Sequence, residues 1–288
     1  MWSRASRPPD RPEDELADLI SMMGWPAVAC LILVTIHSYL GMHVLARGVI
    51  FVDLALAQIA ALGSTIALLL GHDLHSTEAW MWSLAATFAG AAVFALSWVR
   101  FRGVPQEAII GVTYAVASSA AIIAVDRAPH GAEHIKALLV GSILWVTPGQ
   151  VLKTALIYAA VGVFHWIYRR KFLLISQDTE RAESEGVNVR WWDFLFYASF
   201  GFVVTSSVQI AGVLLVFSFL IVPAIVGVLF GHNLRSRLLV GWIVGWLVSI
   251  LGCVISFQAD LPTGATVVCT FGAALLVATG VRRVVSSG

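Results

Sequence analysis

Asp53 is a carboxylate inside an otherwise apolar stretch, residues 49–70, whose other strongly polar member is Gln58. An ionisable side chain in such a stretch is costly in a bilayer. It persists where it lines water, meets a cation or pairs with a basic group. Asp53 stands only about one helical turn from the start of the stretch, so a solvated interfacial Asp or a pair with Arg47 is the competing reading. Six residues separate Asp53 from Arg47, about 240° around a regular helix, which disfavours direct pairing. Gln58 lies about 140° from Asp53, so the two share no face unless the helix is distorted. His37, in residues 25–46, is the third candidate for a metal path. For His37, His43 and His165 alike, a packed or hydrogen-bonded place between helices is the competing reading.

Two loops carry a second constellation. One reads Gly71-His72-Asp73-Leu74-His75, and the other reads His130-Gly131-Ala132-Glu133-His134. Imidazole with carboxylate suits zinc or another first-row divalent ion. His72, Asp73, His75, His130, Glu133 and His134 are therefore candidates for metal capture, and solvated loop residues are the alternative. Spacing alone defines no tetrahedral site.

The elements that must hold these residues are membrane helices. The chain is 59% hydrophobic and only 12% charged, with a mean hydropathy of +0.86. A soluble surface normally needs about 25% charged residues. A net charge of +1 gives no bulk case for nucleic acid. Cys30, Cys253 and Cys269 all fall in apolar runs without a CxxC, as small packed residues do. A span needs about 20 apolar residues. Nine stretches qualify: 25–46, 49–70, 79–99, 108–125, 151–168, 191–208, 211–230, 238–257 and 261–281. The expectation is an all-α polytopic membrane protein with one membrane domain, 25–283, behind a polar tail, 1–24. No cleavable signal is visible in that tail. Residues 136–146 are apolar but short, as in a re-entrant piece.

Lys and Arg cluster at 100–102, 169–190, 235–237 and 282–283, which places those ends in the cytoplasm and the two histidine-bearing loops on the outer face. Nine spans then put the amino terminus outside, although Arg4, Arg7 and Arg11 argue against it. Residues 169–190 form the one sizeable polar segment between spans. Ser176 or Asp178 suits a helix cap there, with acids in the first turn and Gly186 at the end. Such a segment suits docking to a soluble partner, and a solvated loop is the bland alternative. Pro223 should kink the seventh span. Gly241 and Gly245 form a GxxxG, a weak signal.

Several stretches, in order, resemble one family. They are Arg47–Val52 leading to Gly63, Glu107–Gly111, Leu138–Leu144, Asp178–Ala182 with Gly186-Val187, Val208–Ala224 with Gly212 and Pro223, and Asp260–Ala265. Over about 25–281 the chain resembles the membrane permease of zinc, manganese and iron importers of the ATP-binding-cassette class. The resemblance implies a type II importer-like permease in the cytoplasmic membrane of a prokaryote, working by alternating access. The metal would be transported substrate, zinc ahead of manganese and iron, with no tightly bound cofactor. It implies a separate ATPase subunit, because the chain has no GxxxxGK[ST] loop, and hence no enzyme activity of its own. It also implies an extracytoplasmic metal-binding protein and a second permease chain, a homodimer. Coupling to the ATPase falls on Ser176, Gln177, Asp178, Thr179, Glu180, Arg181, Ala182, Glu183 and Gly186. One departure stands out. The family places Asp and His four residues apart before the Gly of the second span. Counted back from Gly63, those positions hold Leu54 and Gln58, and Asp53 is displaced by one. A metal-chelate permease or an uncoupled channel is the nearest alternative. A histidine-box di-metal oxygenase is remote, since no HxxHH occurs.

Overall fold

The computed structural model describes residues 12–73, 76–100, 104–126, 141 and 143–287. The fold is all-α. Helices α1 (Pro12–Arg47), α2 (Val52–Leu69), α3 (Thr77–Arg100) and α4 (Gln106–Val125) come first. A 3-10 turn, Ile143–Trp145, precedes α5 (Pro148–Ile167). Two short helices, α6 (Arg169–Gln177) and α7 (Thr179–Ser184), lead to α8 (Val189–Phe230), α9 (Leu234–Ala259) and α10 (Thr263–Ser287). Eight of these, among the described residues, are long and apolar enough to cross a membrane.

Local sequence explains most boundaries. Helix α5 begins on a capping box, in which the Thr147 side chain and Gln150 satisfy each other's backbone N–H groups. Asn233 and Ser236 do the same for α9. Helix α1 starts well before its apolar run, because Pro12 and the following acids and leucines favour a helical first turn. Part of the expected polar tail is therefore helix.

Eight long helices stand where the hydropathy reading gives nine spans. The difference is α8, whose 42 residues join two expected spans. A straight helix of that length would reach about 63 Å, twice a hydrocarbon core. It is not straight. Gly212, at φ 75° and ψ 162°, breaks it in a conformation nearly confined to glycine. Residues 189–211 run antiparallel to α1: Arg47 meets Asp193, His43 meets Phe196 and His37 meets Ser207. The second limb runs parallel to α1, for Gly41 abuts Leu220 and Ala224, and Met42 abuts Gly227. The chain thus doubles back at Gly212, and both expected spans exist as limbs of one broken helix. Pro223 keeps helical dihedrals, and its ring packs on Gly245 of α9.

Helix α8 is also the centre of the core. It packs against α1, α2, α3, α9 and α10. Its inner face includes Phe196, Tyr197, Phe200, Val204, Phe219 and Leu220, all fully buried. Opposite faces of α5, α9 and α10 carry exposed large apolar side chains such as Leu152, Leu247 and Leu276, as lipid-facing helices do.

Candidate functional site

Asp53 is the second residue of α2 and is fully buried. Among the described residues, neither carboxylate oxygen has a hydrogen-bond partner. Arg47 does not supply one: its Nη1 donates instead to Asp193 Oδ1, at 2.6 Å. Tyr158 of α5 is buried in the core. It stands edge-on to His37, with ring centroids 6.0 Å apart.

His37 is fully buried in α1. Its Nδ1 lies 2.7 Å from the Leu33 carbonyl, which can only accept, so Nδ1 carries the proton. That leaves a lone pair on Nε2, 3.3 Å from Ser207 Oγ on α8. Ser207 also donates to Val203 O at 2.7 Å, so its hold on Nε2 is loose. Among the described residues, His37 thus offers a ligand-capable imidazole nitrogen on α1 and Asp53 an unpartnered carboxylate on α2. Gln58 is half-buried and lies about 140° around α2 from Asp53. Two residues here, Tyr158 and Ser207, escape sequence reasoning, because a Tyr or Ser in an apolar span is too common to single out.

The outer loops are only partly described. His72 is half-buried and Asp73 is exposed just past the end of α2. His75, His130, Glu133 and His134 lie outside the described residues. Among the described residues no group of three or more His, Cys, Asp or Glu side chains is placed to hold a metal ion.

The polar segment 169–190 is the pair α6 and α7. Asp178 caps α7, accepting the Arg181 N–H at 2.9 Å. Gly186, at φ 78°, closes it: the Val187 N–H reaches back to Ala182 O, a Schellman-type end. Ala182 is buried against the rest of the molecule, while Gln177, Asp178, Glu180, Arg181, Glu183 and Gly186 are exposed. Thr179 is half-buried and donates to Ile175 O. Arg181 and Glu185 pair at 2.8 Å on the surface. Ser176 points inward and is buried.

The profile of the ABC 3 transport family matches residues 20–282. The chain belongs to that family. Within it, the manganese transport system membrane protein MntC of Listeria innocua is 24% identical over 234 residues, covering 81% of each chain. A Haemophilus influenzae protein named "Probable iron transport system membrane protein" is 23% identical over 189 residues, covering 65% of this chain and 67% of its own. Among solved structures, PsaBC from Streptococcus pneumoniae in complex with Fab shares the fold. Its TM-score is 0.76 at 20% identity, over 91% of this chain and 95% of that one.

One buried acid escapes the sequence reading. Asp193, an acid inside the expected span 191–208, is 4% exposed and holds Arg47. The argument that singles out Asp53 applies to it equally. His43 and His165 are packed, hydrogen-bonded interface residues. His43 Nδ1 lies 2.9 Å from Ser176 Oγ, and His165 Nε2 lies 2.8 Å from Ser199 Oγ with Phe172 stacked on its ring.

Proposed function

We propose that this ABC 3 family chain is the permease subunit of an ATP-driven importer of a divalent first-row metal ion, with manganese ahead of zinc and iron. The observation that carries the reading is Asp53: a fully buried carboxylate with no hydrogen-bond partner among the described residues, on a helix of a family transporter. The names of the relatives, manganese and iron systems, support the metal class. Donor chemistry supports manganese over the zinc that the sequence alone favours. Where the family pattern has His on α2, this chain has Gln58, so α2 offers an amide oxygen at that position in place of an imidazole. Oxygen ligands suit Mn, whereas imidazole and thiolate favour Zn.

In this reading the permease alternates between outward-open and inward-open states, and Asp53 and His37 offer donors that bind and release the ion in passing. The metal is cargo and no cofactor is held. ATP is hydrolysed by a partner subunit docked on α6 and α7, whose outer face carries Glu180 and Glu183. A metal-binding protein delivers the ion from outside, the outer-loop histidines receive it, and a second copy of the permease completes the pathway in a prokaryotic cytoplasmic membrane. Uptake of radiolabelled manganese, zinc and iron is the test, in cells lacking only this gene and in the same cells with it restored. Manganese uptake should fall and recover. Unchanged uptake of all three metals would refute the importer reading.

A further inference from the structure

The coupling segment packs on the membrane helices through Phe172, stacked on His165, and makes one buried polar link to α1. Ser176, in the last turn of α6, is 5% exposed. Its Oγ accepts the Nε–H of Arg47 at 2.9 Å and lies 2.9 Å from His43 Nδ1. Since Ser176 receives the Arg47 proton, its own proton is free for His43. Arg47 ends α1, and its Nη1 donates to Asp193 near the start of α8. The guanidinium lies 4.1 Å over the Phe196 ring of the same helix. Among the described residues, the bonds of Ser176 are the side-chain to side-chain hydrogen bonds that join α6 or α7 to α1.

Arg47 and Asp193 form an ion pair in a dry site, where separating the partners strands a charge, so the pair holds α1 and α8 together. Ser176 joins this pair through a hydroxyl that accepts from the charged guanidinium, a stronger bond than one between neutral groups, so movement of α6 is carried to Arg47. The two helices clamped here are also the two that carry His37 and Ser207, whose 3.3 Å contact is already loose. A shift of α6 that pulls on Arg47 therefore tilts α1 and α8 together at their cytoplasmic ends and reaches the centre of the membrane.

We propose that Arg47, clamped by Asp193 and bonded to Ser176, is the positioning residue that passes movement of the coupling segment to α1 and α8. The proposal rests on the importer reading, and its test does not depend on which metal is carried. The permease is reconstituted with its ATPase subunit, with the exposed Cys269 replaced (Cys269→Ser). One spin-label pair, at Glu183→Cys and Leu152→Cys, reports the coupling segment. A second, at Ile20→Cys and Leu152→Cys, reports α1. These three sites are exposed. Trapping nucleotide with vanadate should shift both distances in the otherwise unaltered chain. With Ser176→Ala or Arg47→Lys, the first shift should remain and the second fall to less than half. The double variant should lose no more than either alone, because both break one link. A second shift of undiminished size in either variant, or none in the unaltered chain beside a clear first shift, overturns the proposal. No shift in the first pair of the unaltered chain sinks the importer reading, and this proposal with it.

Discussion

Asp53→Asn keeps the shape of the side chain and removes its charge. Asp53 is fully buried, and among the described residues neither oxygen has a hydrogen-bond partner. An ionised carboxylate in such a place costs several kcal/mol, even after relaxation. An unpartnered neutral amide costs about 1–3 kcal/mol. The substitution should therefore stabilise the isolated permease, by on the order of 1–3 kcal/mol. For a large domain each kcal/mol moves Tm by about 2–4 °C, so a rise of a few degrees is expected in detergent. Transport should move the other way. A charged contact to the ion is worth about 1.5–3 kcal/mol, which corresponds to a fall of roughly 10- to 150-fold in uptake efficiency. Gained stability with lost activity is what a residue kept for function predicts. The assay pairs thermal denaturation of the purified variant with radiolabelled manganese uptake, normalised to the amount of folded protein. Uptake at the level of the unaltered chain, or a loss of uptake fully explained by a loss of folded protein, would refute a pathway role.

Gln58→Ala should reduce uptake less than Asp53→Asn, since a neutral amide binds a divalent ion weakly; an equal or larger loss would move the site to the other face of α2. Glu180→Lys with Glu183→Lys should abolish transport and ATPase stimulation while membrane insertion and Tm stay unchanged. Both side chains are exposed, and surface changes are usually within about 0.5 kcal/mol. Asp193→Ala should cost about 3–5 kcal/mol by stranding Arg47, read as a fall in Tm. Gly212→Ala should cost about 1–3 kcal/mol, because φ 75° with ψ 162° strains any side chain. Yield of monodisperse protein checks that last expectation.

What could be read in the sequence follows from local chemistry. Long apolar runs must form helices in lipid, because each backbone group needs a partner within its own segment. Basic clusters orient those helices, and Asp178 with Gly186 bounds α7 through cap and left-handed closure, each acting within a few residues. Asp53 draws attention by itself, as a charge in the wrong solvent. Other features were settled by contacts between residues far apart in the chain. Two apolar runs separated at Gly212 look the same in hydropathy whether a loop or a sharp reversal joins them. Only packing against α1 shows that the limbs run in opposite directions. The partner of Arg47 is likewise invisible in order, since Asp193 stands 146 residues away and meets it because α1 and α8 cross there. Ser176 reads as a surface cap in sequence and proves to be a buried bond to α1. Helical periodicity tells which residues share a face. Which face meets which helix is decided by the close packing of all the helices at once.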